Sequence, residues 1–272
     1  MLFRSDSFTQ RLGQVRTAFS QYQLGVYWQD EVRLNRSLSV SYGVREELQS
    51  HVGDSLNLMP RLGFTFNPYR SKTTIRGGYG LFYDWYDSNL YDQTLRVNGV
   101  AQRDLLILNP GYPDPTGGIT AVRLPGGRVQ ADPNLQLPYV HQISIGVERP
   151  ITSKLNLQTS FLRLIGRNQL RARNVNAPNE FGIRPEPLIG NVTQIESTGR
   201  SATSRLNVNV NYRPTARTFF NVGYTLSSVK NDGDSALALP ANSLNPAAEW
   251  GPSSQDVRHR VNAMFNFGLP FA

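Results

Sequence analysis

The chain has 272 residues, 39% of them hydrophobic and 10% aromatic, with no cysteine and a net charge of +8. That length allows one large domain or two small ones, and the lack of cysteine excludes disulfides and thiolate metal sites. The basic residues are spread along the chain rather than gathered on one face, which argues against nucleic-acid binding. Nowhere do about 20 apolar residues run together, which excludes a membrane-spanning helix but leaves a β-barrel open.

Residues 1–16 have no clean period, and Met1 to Asp6 contain no apolar segment of a signal peptide. From Ser20, Tyr22, Leu24, Val26 and Trp28 alternate with Gln21, Gln23, Gly25, Tyr27 and Gln29, and the pattern runs on to Leu34. Successive strand side chains point to opposite faces, so this period predicts a strand with one apolar side. After a turn at 35–36, Leu38, Val40, Tyr42 and Val44 alternate with serines and Gly43. A polar connection, 49–57, leads to Leu62, Phe64 and Phe66. A turn at 67–72 leads to Ile75, Tyr79, Leu81 and Tyr83, opposite Arg76, Gly78 and Gly80.

A long connection follows, about 87–138, rich in proline and glycine. Ile143, Ile145 and Val147 then alternate with Ser144, Gly146 and Glu148. A turn at 150–153 leads to Leu155, Leu157 and Phe161. After a second long connection, about 166–200, comes the clearest hairpin. Leu206, Val208, Val210 and Tyr212 oppose Arg205, Asn207, Asn209, Asn211 and Arg213; after Pro214 to Arg217, Phe220, Val222, Tyr224 and Leu226 oppose Asn221, Gly223 and Thr225. A third long connection, about 231–256, precedes Val261, Ala263, Phe265 and Phe267. All 17 prolines fall in turns, connections or strand starts, as a sheet requires.

Short turns and long connections thus alternate strictly. The strands run about ten residues, the length a tilted strand needs to cross a bilayer, and short turns at one rim with long loops at the other are the plan of a membrane barrel. The fold class is therefore all-β: an antiparallel up-and-down meander, a partial transmembrane β-barrel of about nine long strands forming one domain over 1–272. On this reading Leu206, Val208, Val210, Tyr212, Phe220, Val222, Tyr224 and Leu226 face lipid. Arg205, Asn207, Asn209, Asn211 and Arg213 face the lumen, where a plug or a substrate would lie. Tyr27, Trp28, Tyr69, Tyr83, Trp85 and Tyr86 are expected in aromatic girdles. Ligand contacts, if the long loops make them, are expected from Tyr112, Arg123, Arg128 and Trp250. The alternatives are a soluble or cell-surface β-sheet binding module and a passive porin or adhesin barrel.

Charge sorts the same way. Arg33, Arg36, Arg70, Lys72, Arg149, Lys154, Arg213 and Arg217 lie at the short-turn rim, where anionic phospholipid would favour them. Much of the acid, including Asp54, Asp87, Asp132, Glu186, Glu196, Asp232, Asp234 and Glu249, lies in the long connections, where it could meet divalent-bridged lipopolysaccharide.

No catalytic constellation is present. His51, His141 and His259 lack metal-ligand spacing. The run Gly77-Gly78-Tyr79-Gly80 is neither GxGxxG nor placed before a helix, and no GxSxG elbow occurs. Asp30-Glu31 and Glu46-Glu47 are adjacent on strands, so their side chains diverge. No enzyme activity and no cofactor are expected.

Six stretches, GVYWQDEVRLNRSLSVSYGVR (25–45), PRLGFTFNP (60–68), TIRGGYGLFYD (74–84), PYVHQISIGVER (138–149), GRS (199–201) and DVRHR (256–260), stand in order along the chain. Together they resemble the barrel of TonB-dependent outer-membrane receptors, in the branch with an N-terminal carboxypeptidase-regulatory-like domain. The resemblance implies an outer-membrane protein of a Gram-negative-type bacterium, taking up a bulky nutrient with a plug domain and the TonB complex as partners. Nine strands with no plug, TonB box or regulatory domain lead to the expectation of an internal piece of a larger barrel.

Overall fold

The computed structural model describes residues 6–14, 16–115, 121–122 and 127–268. In chain order the elements are β1 (Ser7–Gly13), β2 (Gln23–Arg33), β3 (Leu38–Gln49), β4 (Leu58–Phe66), β5 (Thr74–Tyr83) and α1 (Ser88–Arg96). Then come β6 (Gln102–Leu108), β7 (Ala121–Val122), β8 (Arg128–Ala131), β9 (Tyr139–Pro150) and β10 (Leu155–Asn174). The chain closes with β11 (Val192–Thr215), β12 (Thr218–Asn231), β13 (Gly251–Pro252) and β14 (His259–Phe267).

Nine of these make the expected meander. β2, β3, β4, β5, β9, β10, β11, β12 and β14 pair antiparallel in that order. β2 and β14 are the edges of this wall among the described residues. The pairing keeps the sequence alternation in register: Val208 stands opposite Tyr224, Val210 opposite Val222, Asn209 opposite Gly223 and Asn211 opposite Asn221. One face is therefore mostly apolar and the other mostly polar; Asp30 of β2 lies on the apolar side, where it accepts from the Tyr42 hydroxyl at 3.4 Å. The apolar face is not covered: Leu62 is 55% exposed, Ile145 50% and Val261 67%. A soluble protein rarely leaves so large a contiguous apolar surface bare, and a lipid-facing wall requires it.

The register is staggered. One row of paired residues runs Leu38, Phe66, Ile75, Val147, Thr159, Val208, Tyr224, Val261. It enters β3 at its first residue and β12 at its seventh. Six residues over the six steps from β3 to β12 is one residue per strand. With 3.3 Å per residue and 4.8 Å between strands, that stagger tilts the strands by about 35°, as barrel closure demands.

One expectation about the connections needs correction. The segment 166–200 is not a loop: β10 and β11 continue as a paired ribbon to Asn174 and from Val192, leaving only 175–191 outside the ladder. Its outer half pairs through Arg173 with Glu196 (2.7 Å) and Arg171 with Thr198 (2.9 Å) rather than through an apolar face, so no hydrophobic alternation betrays it. The segments 87–138 and 231–256 are also structured. The first carries α1, β6, β7 and β8, and the second a 3-10 turn, Pro246–Glu249, and β13. β1, in the aperiodic N-terminal stretch, pairs with β6 and belongs to a separate three-stranded sheet.

The apolar core lies among these long connections, not in the wall. Tyr86, Leu135, Leu137 and Ile195 are buried together, with Val52, Leu90, Tyr91, Val129 and Leu237 packed around them. Tyr86 is 1% exposed and so cannot belong to an interfacial girdle; the chain turns inward after β5 and buries it.

Candidate functional site

The polar face of the wall carries the hairpin's asparagines. Asn211 Nδ2 donates to Asn209 Oδ1 at 2.8 Å, and Asn221 Nδ2 donates to both Asn209 Oδ1 (3.0 Å) and Asn211 Oδ1 (2.6 Å). Thr225 Oγ1 donates to Asn207 Oδ1 at 2.9 Å. Beside this network Glu148 accepts from Arg76 and from Asn156, each at 3.2 Å. Between the two lies a hollow of about 670 Å³, lined by Arg76, Gly78, Ser144, Glu148, Ser160, Asn207 and Asn209 among others. Small residues at 78, 144, 146 and 160 leave this space on the polar side.

One glycine on this face makes room for a ring. The Phe82 ring folds down over Gly80, where a Cβ would stand 2.6 Å from the ring, and the Arg61 guanidinium lies 4.7 Å from the ring centroid on the neighbouring strand. Arg205 is exposed on the same face, and Arg213 sits 5.6 Å from the Phe219 ring.

At the long-loop end a second hollow, about 420 Å³, opens between the wall and the connections. Asp84, Trp85, Asp87, Gln169, Arg200, Asn231 and Asp234 line it. Asp87 caps α1 by accepting from the Asn89 N–H at 2.7 Å. Asp234 accepts from Asn231 Nδ2 (2.6 Å) and Ser253 Oγ (2.8 Å), and these bonds to its carboxylate hold its pKa down to about 2.

The four loop residues chosen from sequence do not gather here. Tyr112 is 99% exposed. Arg128 lies on β8 and pairs with Glu186 at 3.3 Å. Trp250 lies under the Arg200 guanidinium at 5.0 Å. Arg123 lies outside the described residues. Asp84, Asp234 and Trp85, which do share the hollow, carry no local motif; only the folding of two distant connections onto one mouth brings them together. Several of the long-connection carboxylates are also engaged internally. Asp54 accepts from Leu137, Glu196 holds Arg173, and Asp232 holds Arg171 and Arg200.

A family model described as outer membrane beta barrel domain matches residues 50–272. The chain belongs to that family. It is a segment of an outer-membrane β-barrel, and solved barrels have the same wall. The outer membrane transporter YddB from Escherichia coli superposes with a TM-score of 0.57 at 13% identity, over 78% of this chain and 24% of that one. The structure of the FpvAI–pyocin S2 complex gives 0.56 at 11% identity, over 93% and 27%. The FrpB iron transporter from Neisseria meningitidis gives 0.52 at 14% identity, over 78% and 26%. The chain thus spans about a quarter of the barrel proteins it matches, and the likeness to them is one of fold. No curated protein matches it.

Proposed function

We propose that this barrel segment forms part of the wall and outer mouth of a TonB-dependent transporter that takes up a bulky nutrient. The reading is carried by one observation: a polar, small-residue face with a hollow of about 670 Å³ backs onto a bare apolar face. The apolar side meets lipid. The polar side, with Arg205, Asn207, Asn209, Asn211 and Arg213, faces the lumen and seats a plug domain of the same full-length protein. The ordered connections form the extracellular mouth, and the TonB complex acts through the plug. The transporters named above share the fold, which supports transport over covalent chemistry.

The chain has no cysteine, so once any cysteine outside this segment is replaced, single cysteines in it report cleanly. In full-length protein in outer membranes, Asn209→Cys reacts with a water-soluble maleimide once urea displaces the plug, and is protected before. Val208→Cys reacts with a lipid-soluble reagent in both states. Energy-dependent accumulation of the nutrient stops with a protonophore. Equal labelling of both positions by the aqueous reagent, or uptake indifferent to the protonophore, overturns the reading.

A further inference from the structure

Several acids of the long connections already hold a cation. Asp92 pairs with Arg96 within α1, Glu186 with Arg128, Glu196 with Arg173 and Asp256 with Arg258. Asp84, Asp87 and Asp234, which line the mouth hollow, form no ion pair among the described residues. Asp84 accepts from the Trp85 N–H at 2.9 Å and Asp87 from the Asn89 N–H at 2.7 Å, each through Oδ1 alone. Both are exposed, and each has its second carboxylate oxygen to spare. Asp234 is taken up by its clasp with Asn231 and Ser253, so it adds charge rather than a free oxygen.

The hollow's own cation, Arg200, is drawn away from these acids. Its Nε donates to Asp232 at 3.2 Å, and its guanidinium lies 5.0 Å from the Trp250 ring. An indole and a carboxylate there hold a guanidinium between them. Trp85, half-buried and next in sequence to Asp84, offers an indole and two carboxylates with no cation. The mouth thus contains one indole–carboxylate pair that is filled from within and another that is open.

Charge and size decide the occupant. Asp232 is shared between Arg171 and Arg200, so that group carries one surplus positive charge, against the three carboxylates of the hollow. The start of α1 adds about half a positive unit, and the hollow stays negative. No three carboxylates or histidines among the described residues stand close enough to share a metal ion. The space, about 420 Å³, falls in the range of small-ligand pockets. One wall is a bulge in β10, where the register shifts on either side of Gln169 and Asn168 takes φ +52°. Bulges re-aim side chains in this way, and Gln169 lines the hollow opposite Trp85's connection.

We propose that the mouth hollow binds an organic cation, a protonated amine or guanidinium carried by the nutrient, between the Trp85 indole and the Asp84 and Asp87 carboxylates. A cation over an indole is attracted by the ring quadrupole, and a hydrogen bond from a cation to a carboxylate is about twice as strong as a neutral one. Leu90 and Leu170, also in the lining, take the apolar stem that carries the charge. The inference rests on the hollow belonging to a transporter's outer mouth, and it names the chemical class which that mouth admits.

The test uses full-length protein in nanodiscs of neutral phosphatidylcholine, with no energy supplied, and reads binding by calorimetry. The probes are trilysine and spermidine. At least one binds, and its fully acetylated form binds about tenfold more weakly or worse. Tighter binding of trilysine assigns a basic peptide, and tighter binding of spermidine a free polyamine. Asp84→Asn with Asp87→Asn weakens the bound probe about tenfold. Asparagine keeps an acceptor oxygen at both positions and caps a helix as well as aspartate does, so this variant loses charge and not structure. Glu180→Gln, at an exposed acid in the connection 175–191, leaves binding unchanged. Binding of neither probe, equal binding of free and acetylated forms, or wild-type affinity in the double variant overturns the site. The transporter reading then still stands, because protonophore-sensitive uptake is measured separately. Uptake indifferent to the protonophore, with affinity still lost in the double variant, overturns the transporter reading and keeps the site.

Discussion

Asp232 accepts two hydrogen bonds from Arg200, one from its backbone N–H at 2.7 Å and one from Nε at 3.2 Å. The same carboxylate lies 3.6 Å from the Arg171 guanidinium, and its side chain is 2% exposed. It ties the outer ends of β10, β11 and β12 together where no apolar face does so. Asp232→Ala leaves a buried arginine without its counter-ion, which typically costs about 3 kcal/mol. Hydrogen exchange should quicken in 166–174 and 192–200 while 205–211, inside the wall, keeps its protection. Equal protection in both regions would remove Asp232 from this role.

The Tyr86 hydroxyl is buried without a hydrogen-bond partner among the described residues. Burial first, then the nearby Tyr91 and Asp87, push its pKa up to about 12. The folded form thus holds the phenol proton more tightly than the unfolded chain, whose value is near 10. Stability from this group is complete below about pH 10 and is lost as pH rises toward 12. Tyr86→Phe removes an unsatisfied buried polar group and should stabilise the loop core by about 1 kcal/mol. It should also flatten the alkaline loss, read by thermal melts at pH 8 and pH 11. A variant that melts lower at pH 8 would show the hydroxyl to be useful there.

The wall was legible because each strand repeats one physical requirement, apolar on one side and polar on the other, for about ten residues. Leu206 to Tyr212 and Phe220 to Leu226 mark both strands of the hairpin, whereas their register, with its shift between Tyr212 and Thr215, is a property of the fold. The outer ribbon was not legible, since Arg171 and Arg173 on β10 meet Thr198 and Glu196 on β11, polar against polar, and leave no hydrophobic period. α1 left weak marks, Asp87 as cap, Leu90 and Tyr91 on one face, and Arg96 in the last turn, submerged in a proline-rich stretch. The pairing of β1 with β6 joins segments about 90 residues apart, and neither strand's pattern names the other. Trp85 read as girdle by type, although it lines the mouth hollow.

Asp234 should make the outer mouth sensitive to acid. Its carboxylate is held by Asn231, Ser253 and Ser254, which lowers its pKa to about 2 from the usual value near 4. A depressed carboxylate stabilises the fold above the unfolded value and loses that contribution as pH falls through the folded one. The clasp between 231 and 254 should therefore persist at pH 4 and above, weaken between about pH 4 and pH 2, and be lost below that. Pulsed proteolysis at pH 5, 3 and 2 reads the opening. Asp234→Asn should be cleaved at pH 5 as readily as the wild type is at pH 2, and a pH-independent wild type would count against the clasp.

The short-turn rim carries a different charge logic. Arg33 is tied to the turn carbonyls of Asn35 and Arg36, each at 3.3 Å, and Arg70 and Arg213 lie against the rings of Tyr69 and Phe219. Arg36, Lys72, Lys154 and Arg217 are exposed, which leaves them available to a phospholipid surface. Each basic residue near an anionic leaflet contributes up to about 1 kcal/mol, reduced by screening at physiological salt. Replacing these four by glutamine should therefore weaken retention in phosphatidylglycerol vesicles about tenfold at moderate salt. In vesicles of neutral phosphatidylcholine the same variant should be retained like the wild type, because the apolar face is untouched. Retention that falls equally in both vesicles would trace the loss to folding, and retention unchanged in both would leave these residues with turn solubility as their only role.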